Sequence, residues 1–132
     1  LGVPQETLAR LMKSMMPAIQ AARAQAMAMR STNNLRQIAL ALHNYHDTYN
    51  AFPPAVKLGK DGKTPHSWRV AILPYIEEQA LYNQYKFDEP WDSENNKKVA
   101  ATIPAVFRSP TATNGANCTS YVVLTHADGL FN

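Results

Sequence analysis

The stretch from Asn33 to Pro54 constrains the fold more than any other part of this chain. Leu35, Ile38, Leu42, Tyr45 and Tyr49 recur at spacings of 3, 4, 3 and 4, which puts them on one stripe of an α-helix. Pro53 and Pro54 cannot continue a helix, and Pro53 biases Phe52 towards extended backbone, so the helix must end before them. An apolar stripe of this length needs a surface to cover, so the pattern describes a packing element.

Helical periodicity also extends upstream. Over residues 4–29, Leu8, Leu11, Met15, Ile19, Ala22, Ala26 and Met29 keep the same rhythm, and Ala and Met are strong helix formers. Pro17 removes a backbone donor inside this segment, which predicts a kink or a helix boundary. Ser31 and Thr32 either cap a new helix or lie within one long helix. A helix over residues 18–48 is about 46 Å long at 1.5 Å per residue. That exceeds what a domain of this size needs, so one end is expected to project or to pack against another chain.

After the prolines the elements become short. Val56 to Pro65, with Gly59-Lys60-Asp61-Gly62-Lys63, reads as an exposed turn-rich loop. Trp68 to Leu73 is an apolar run whose periodicity leaves strand and short helix both open. Ile76 to Tyr85 reads as a helix, and Asp92-Ser93-Glu94 as the cap of another one reaching Val99 to Thr102. Val106-Phe107-Arg108 and Thr119 to Leu124 are β-branched and aromatic, hence the expected strands. A leading helix followed by mixed elements and late strands is an α+β arrangement.

The chain has 132 residues, 45% of them hydrophobic and 17% charged, which is enough for one globular domain with its own core. There is no run of about 18 apolar residues, so no membrane span is expected. Leu1 to Glu6 has no basic region followed by an apolar run, so no secretory signal is read there; a leader removed from the chain would leave the same start. The net charge is +3, with +4 on residues 1–46 (Arg10, Lys13, Arg23, Arg30 and Arg36 against Glu6) and −1 on the remainder. Those five cations are too sparse to track a phosphate backbone, so nucleic acid is not an expected partner and the charges are read as solvating a helix face. Cys118 is the only cysteine, which excludes an internal disulfide and a Cys-rich zinc site. It is read as a small buried residue.

Three clusters carry residue types suited to chemistry. His43, His46 and Asp47 share a helical face, but histidine pairs that bind metal more often stand four apart. The reading preferred is that they bond backbone groups and help stop the helix, with no metal bound. Glu77, Glu78, Asp88, Glu89, Asp92 and Glu94 form an acidic stretch without an Asp-x-Asp-x-Asp-Gly calcium loop, and Asp88 to Asp92 is its most informative part. Trp68, Tyr75, Tyr82 and Trp91, with Tyr85, either line a ligand groove by stacking on sugar faces or build the core against the long helix; the core reading is preferred. No nucleophile elbow, phosphate loop or dinucleotide fingerprint occurs, so no catalytic residue and no cofactor is expected.

Asn33-Asn34-Leu35-Arg36-Gln37 and Leu42-His43-Asn44-Tyr45-His46-Asp47, followed by Phe52-Pro53, resemble the motifs of a large bacterial family of prepilin-like proteins, akin to type II secretion pseudopilins, of unknown function. Pro17 to Arg23, Trp68-Arg69-Val70, Leu73 to Glu77 and Leu81-Tyr82-Asn83 fit the same pattern, so the resemblance covers about residues 15–125. It implies a pilin-like architecture, with a long N-terminal amphipathic helix packed on a small antiparallel sheet beside short extra helices. Residues 1–16 would extend the helix and residues 17–132 would form the domain. It further implies a non-enzymatic subunit of an exported assembly at the cell envelope or cell surface. Its partners would be other pilin-like subunits or secretion-system proteins, and its only membrane contact would be through an N-terminal segment absent from this chain. A surface module binding a solute or glycan is the alternative.

The sequence departs from the family pattern in three places. Residues 1–14 are not a prepilin leader and apolar helix. Ser31 and Ser109 stand where relatives often carry cysteines. His126-Ala127-Asp128-Gly129 has the residue types of the usual His-x9-Asp-Gly ending at the wrong spacing, as in a shortened member.

Overall fold

A computed structural model describes residues 2–113, 115 and 118–131. Its first element is one uninterrupted helix, α1, over Gln5–Tyr49. Its 45 residues correspond to about 68 Å at 1.5 Å per residue. Glu6 lies in the first turn, where a carboxylate suits the helix dipole. Asn50 ends the helix in the left-handed region at φ 55°, donating its N–H to the His46 carbonyl at 2.6 Å, and Asn tolerates that conformation better than most residues. No boundary falls at Pro17 or at Ser31-Thr32. The high helix propensity of the surrounding Ala, Met and Leu carries the backbone past the missing hydrogen bond.

Only the part of α1 from Ser31 onwards packs. Ile38, Ala41 and Tyr45 are buried and Leu42 is half-buried. Leu35 and Tyr49, expected on the same stripe, are 49% and 59% exposed. The buried line is rotated towards Ser31, Asn34, Ile38, Ala41 and Tyr45, which preserves the helical period and places a fully buried alanine at its centre. That small side chain admits the close approach of a 3-10 turn, Leu73–Ile76, against which α1 chiefly packs, together with a second 3-10 turn over Ala105–Phe107.

The expected loop at 56–65 is a β-hairpin. Strands β1 (Val56–Leu58) and β2 (Pro65–Ser67) pair antiparallel, with Lys57 opposite His66. The turn residues do close it: Gly62 has φ 68°, and the Asp61 carboxylate accepts from the backbone N–H groups of Lys63 and Thr64 at 3.0 and 2.9 Å. The late strands are absent. Val106 and Phe107 belong to the 3-10 turn, while Thr119 to Leu124 runs without regular structure. Tyr121 and Val123 are spent on packing against the core, so β propensity here finds side-chain partners and no backbone ladder.

Trp68–Ala71 is a single helical turn, α2, capped by Ser67, whose Oγ accepts from the Arg69 N–H. The helix expected over 76–85 is broken by Glu77 at φ 65°, leaving α3 at Gln79–Gln84. Helix α4, Glu94–Ala101, forms as the Ser93 cap predicts, with Ser93 Oγ accepting from the Asn96 N–H at 3.1 Å. The core joins Trp68, Ile72, Leu81, Tyr85, Val99 and Phe107 to the buried face of α1. The architecture is therefore α+β and pilin-like in outline: a long N-terminal helix, a small antiparallel sheet and short extra helices. Among the described residues no helix is long and apolar enough to cross a membrane.

Candidate functional site

Residues 2–30 are exposed along their whole length. Leu8, Leu11, Met12, Met15, Met16 and Ile19 all present their side chains to solvent from this half of α1, interspersed with Arg10, Lys13 and Arg23. The first partly buried residue of the helix is Ser31, whose Oγ lies 2.8 Å from the Tyr121 hydroxyl.

The motif residues beyond that point are distributed between packing and surface. Asn33 and Leu35 are exposed, whereas Asn34 donates its side-chain amide to the Arg108 carbonyl at 3.0 Å. Tyr45 enters the core, and Pro53 is buried behind the helix end. The rings of His43 and His46 stand 5.6 and 5.0 Å from the Phe52 ring, centre to centre, and Phe52 in turn meets Phe131. The histidine side chains thus secure the chain reversal through Phe52. The backbone stop expected of them is made by Asn50. Asn44 accepts the Thr48 hydroxyl through its carbonyl, and exposed Asp47 lies 3.9 Å from His46. Among the described residues no group of three or more His, Cys, Asp or Glu side chains is placed to hold a metal ion.

The four aromatic candidates do not share one groove. Trp68 is buried, with its ring edge-on to Phe107 and the Arg69 guanidinium 4.8 Å above it. Tyr75 and Tyr82 lie on the side of the last turn of α1. Trp91 is 57% exposed and borders an apolar cleft of about 380 Å³ walled by Leu81, Val99, Ile103 and Phe107. Arg69 is the one cation among the described residues of that wall. It donates to Ser67 Oγ at 3.3 Å and to the Tyr121 carbonyl, while its Nε is buried without a partner among the described residues. Burial lowers its pKa from the ordinary value.

Two members of the acidic stretch are held in local ion pairs. Glu89 pairs with Lys86 at 2.9 Å and Glu94 with Lys98 at 2.8 Å. The Asp88–Asp92 segment is instead organised by Asn96, a fully buried amide. Its Oδ1 accepts from the Lys86 N–H at 2.9 Å, and its Nδ2 donates to the carbonyls of Lys86 and Pro90 at 2.8 and 2.9 Å. Cys118, expected to be buried, is exposed, and its N–H donates to the Gly115 carbonyl at 3.1 Å.

The family SBP_bac_10, described as a protein of unknown function (DUF1559), matches residues 20–129. The chain belongs to that family. No match was found among curated proteins or among solved structures. The SBP_bac_10 match begins within the bare half of α1 and takes in every packed element of the body. Within it, the neighbourhoods of Ser31 and Ser109 meet, because Asn34 bonds the Arg108 carbonyl and Ser31 bonds Tyr121. The sequence of this SBP_bac_10 chain gave no role to Asn96, and it gave Arg69 a place only in the Trp68-Arg69-Val70 motif. Each owes its role to partners distant in the chain. Only the Ser93 cap three residues ahead of Asn96 gave any local signal.

Proposed function

We propose that this chain is a non-enzymatic, pilin-like subunit of an exported or cell-surface assembly, with other pilin-like subunits or secretion-system proteins as its partners. One observation carries the reading: the bare half of α1, with apolar side chains exposed from Leu8 to Met29, about six turns. Helices gain most of their stability in proteins from packing an apolar face, so a helix of this length with none of its first half covered is suited to burial against neighbours. Membership of SBP_bac_10 and the α+β outline with a leading helix support it.

The test is fractionation of the native host with mass spectrometry of the mature N-terminus of the full-length protein. A membrane or surface location with a processed, N-methylated apolar N-terminus is expected. A soluble protein with an unprocessed N-terminus would overturn the proposal.

A further inference from the structure

On the face of the body beside the last turn of α1, four tyrosines from three elements surround a polar cavity of about 220 Å³. Tyr45 and Tyr49 stand one helical turn apart on α1, with ring centres 4.5 Å apart. Tyr75 comes from the 3-10 turn, with its ring 6.1 Å from that of Tyr45 and edge-on to it, and Tyr82 comes from α3. Lys57 of β1 and Gln79 of α3 complete the wall. None of the four phenol hydroxyls forms a hydrogen bond to another of the described residues. Lys57 pairs with no carboxylate among them either; its ammonium lies 5.4 Å from the centre of the Phe87 ring. Gln79 uses its amide nitrogen on Asn83 at 2.9 Å, which leaves its carbonyl oxygen free to accept.

The chemistry of this wall selects its ligand. A phenol both donates and accepts, so four of them suit a ligand rich in hydroxyls, while their rings offer flat apolar faces to C–H groups. An ammonium donates three times and accepts nothing, so an unpaired one calls for an acceptor-only group, and one cation balances a single negative charge. The volume is below the roughly 300 Å³ at which sites for drug-sized ligands begin, which fits a single ring. We infer that this pocket binds a monosaccharide carrying one carboxylate, a sugar acid, with Lys57 on the carboxylate and the Tyr49, Tyr75 and Tyr82 hydroxyls on the ring hydroxyls. Consistent with that arrangement, burial first, and then Tyr49, Tyr75 and Tyr82, hold the Tyr45 phenol above its ordinary pKa. The pocket is on the body, apart from the bare half of α1, so its test is independent of the assembly proposal.

The experiment is calorimetric titration of the chain at pH 7 with D-glucuronate, D-glucose and acetate, repeated on Lys57→Gln and Tyr82→Phe. Saturable binding of glucuronate is expected, with glucose and acetate each at least about tenfold weaker, the loss anticipated for one charge-assisted hydrogen bond. Each variant should lose about tenfold in glucuronate affinity while melting near the parent temperature, since a Phe ring keeps the packing of Tyr82 and Lys57 reaches solvent. Absence of glucuronate binding at low-millimolar concentration overturns the assignment. So does glucose or acetate binding equally well, or an affinity that neither variant changes.

Discussion

Nδ1 of His66 and the hydroxyl of Tyr85 share a hydrogen bond of 2.6 Å inside the core, joining the hairpin to the residue that ends α3. Both side chains are buried, and the other ring nitrogen of His66 has no partner among the described residues. Tyr85→Phe leaves the whole imidazole without a protein partner. It should lower stability by about 1–3 kcal/mol, read from the midpoint of urea unfolding with the slope unchanged.

The same histidine explains a glycine. A Cβ on Gly59 would stand 2.9 Å from His66 Nε2 and 2.9 Å from the Phe87 carbonyl oxygen, and the second of these is backbone and cannot swing aside. Gly59→Ala is therefore expected to cost about 1–3 kcal/mol despite its position in a polar turn. Gly62→Asn, at φ 68° with open space around it, should be far milder. Thermal unfolding of the two variants side by side checks the contrast.

Asn96 holds the 86–90 segment through both ends of its amide. Asn96→Ala should destabilise by about 3 kcal/mol, because it strands the Lys86 and Pro90 backbone groups it satisfies. Asn96→Asp should be worse at neutral pH, since a carboxylate would face two carbonyl oxygens. It should recover in part on acidification, when the carboxyl regains a donor. Denaturation midpoints at pH 7 and pH 4 distinguish the two variants.

The hairpin turn carries an acid-sensitive group. The Thr64 hydroxyl, then the backbone N–H groups of Thr64 and Lys63, hold the Asp61 carboxyl at about 2 against an ordinary value of 3.8. A carboxylate with a depressed folded pKa favours the folded state fully above its unfolded value and loses that contribution as pH falls through the folded one. The stability gap between the parent chain and Asp61→Asn should therefore be constant well above pH 4, narrow below it and close as pH falls through about 2. Amide exchange at Lys63 and Thr64 followed through that range is the direct measurement.

Among the described residues, removal of residues 1–28 takes away no buried side chain. The shortened chain should retain its near-UV spectrum and melt within a few degrees of the parent. A loss of cooperative unfolding would show that the bare half of α1 supports the body.

The helix, its stop and the Ser93 cap were legible because each depends on residues within a few positions of one another. The proline pair bars any continuation of the helix past Phe52 wherever the body lies, and the hydroxyl of Ser93 reaches the N–H of Asn96 by local geometry alone. The face that α1 buries was less legible. Periodicity fixes a stripe only to within one residue position, and fully buried Ala41 outranks the larger Leu35 because the 3-10 turn needs room. The strands failed for a related reason. Val56 to Leu58 and Pro65 to Ser67 pair on the strength of the turn between them, while the β-branched run at 119–124 meets side chains and no second strand. The tyrosine pocket was half visible. Tyr75 and Tyr82 were among the candidates, but their companions are Tyr45, Tyr49 and Lys57, brought together by tertiary contacts, and the two tryptophans lie elsewhere.

Pro17 gives the bare helix a built-in joint. Fourteen residues, about 21 Å of α-helix, separate it from Ser31, the point at which the body first grips the rod. With no N–H at Pro17 to bond the Lys13 carbonyl and no other element of this chain bracing either flank among the described residues, bending stiffness is lowest there. A pull on the far end would be absorbed as an angle at Pro17 before it reached the Ser31–Tyr121 contact, so the body can reorient against whatever holds that end without its own packing being disturbed.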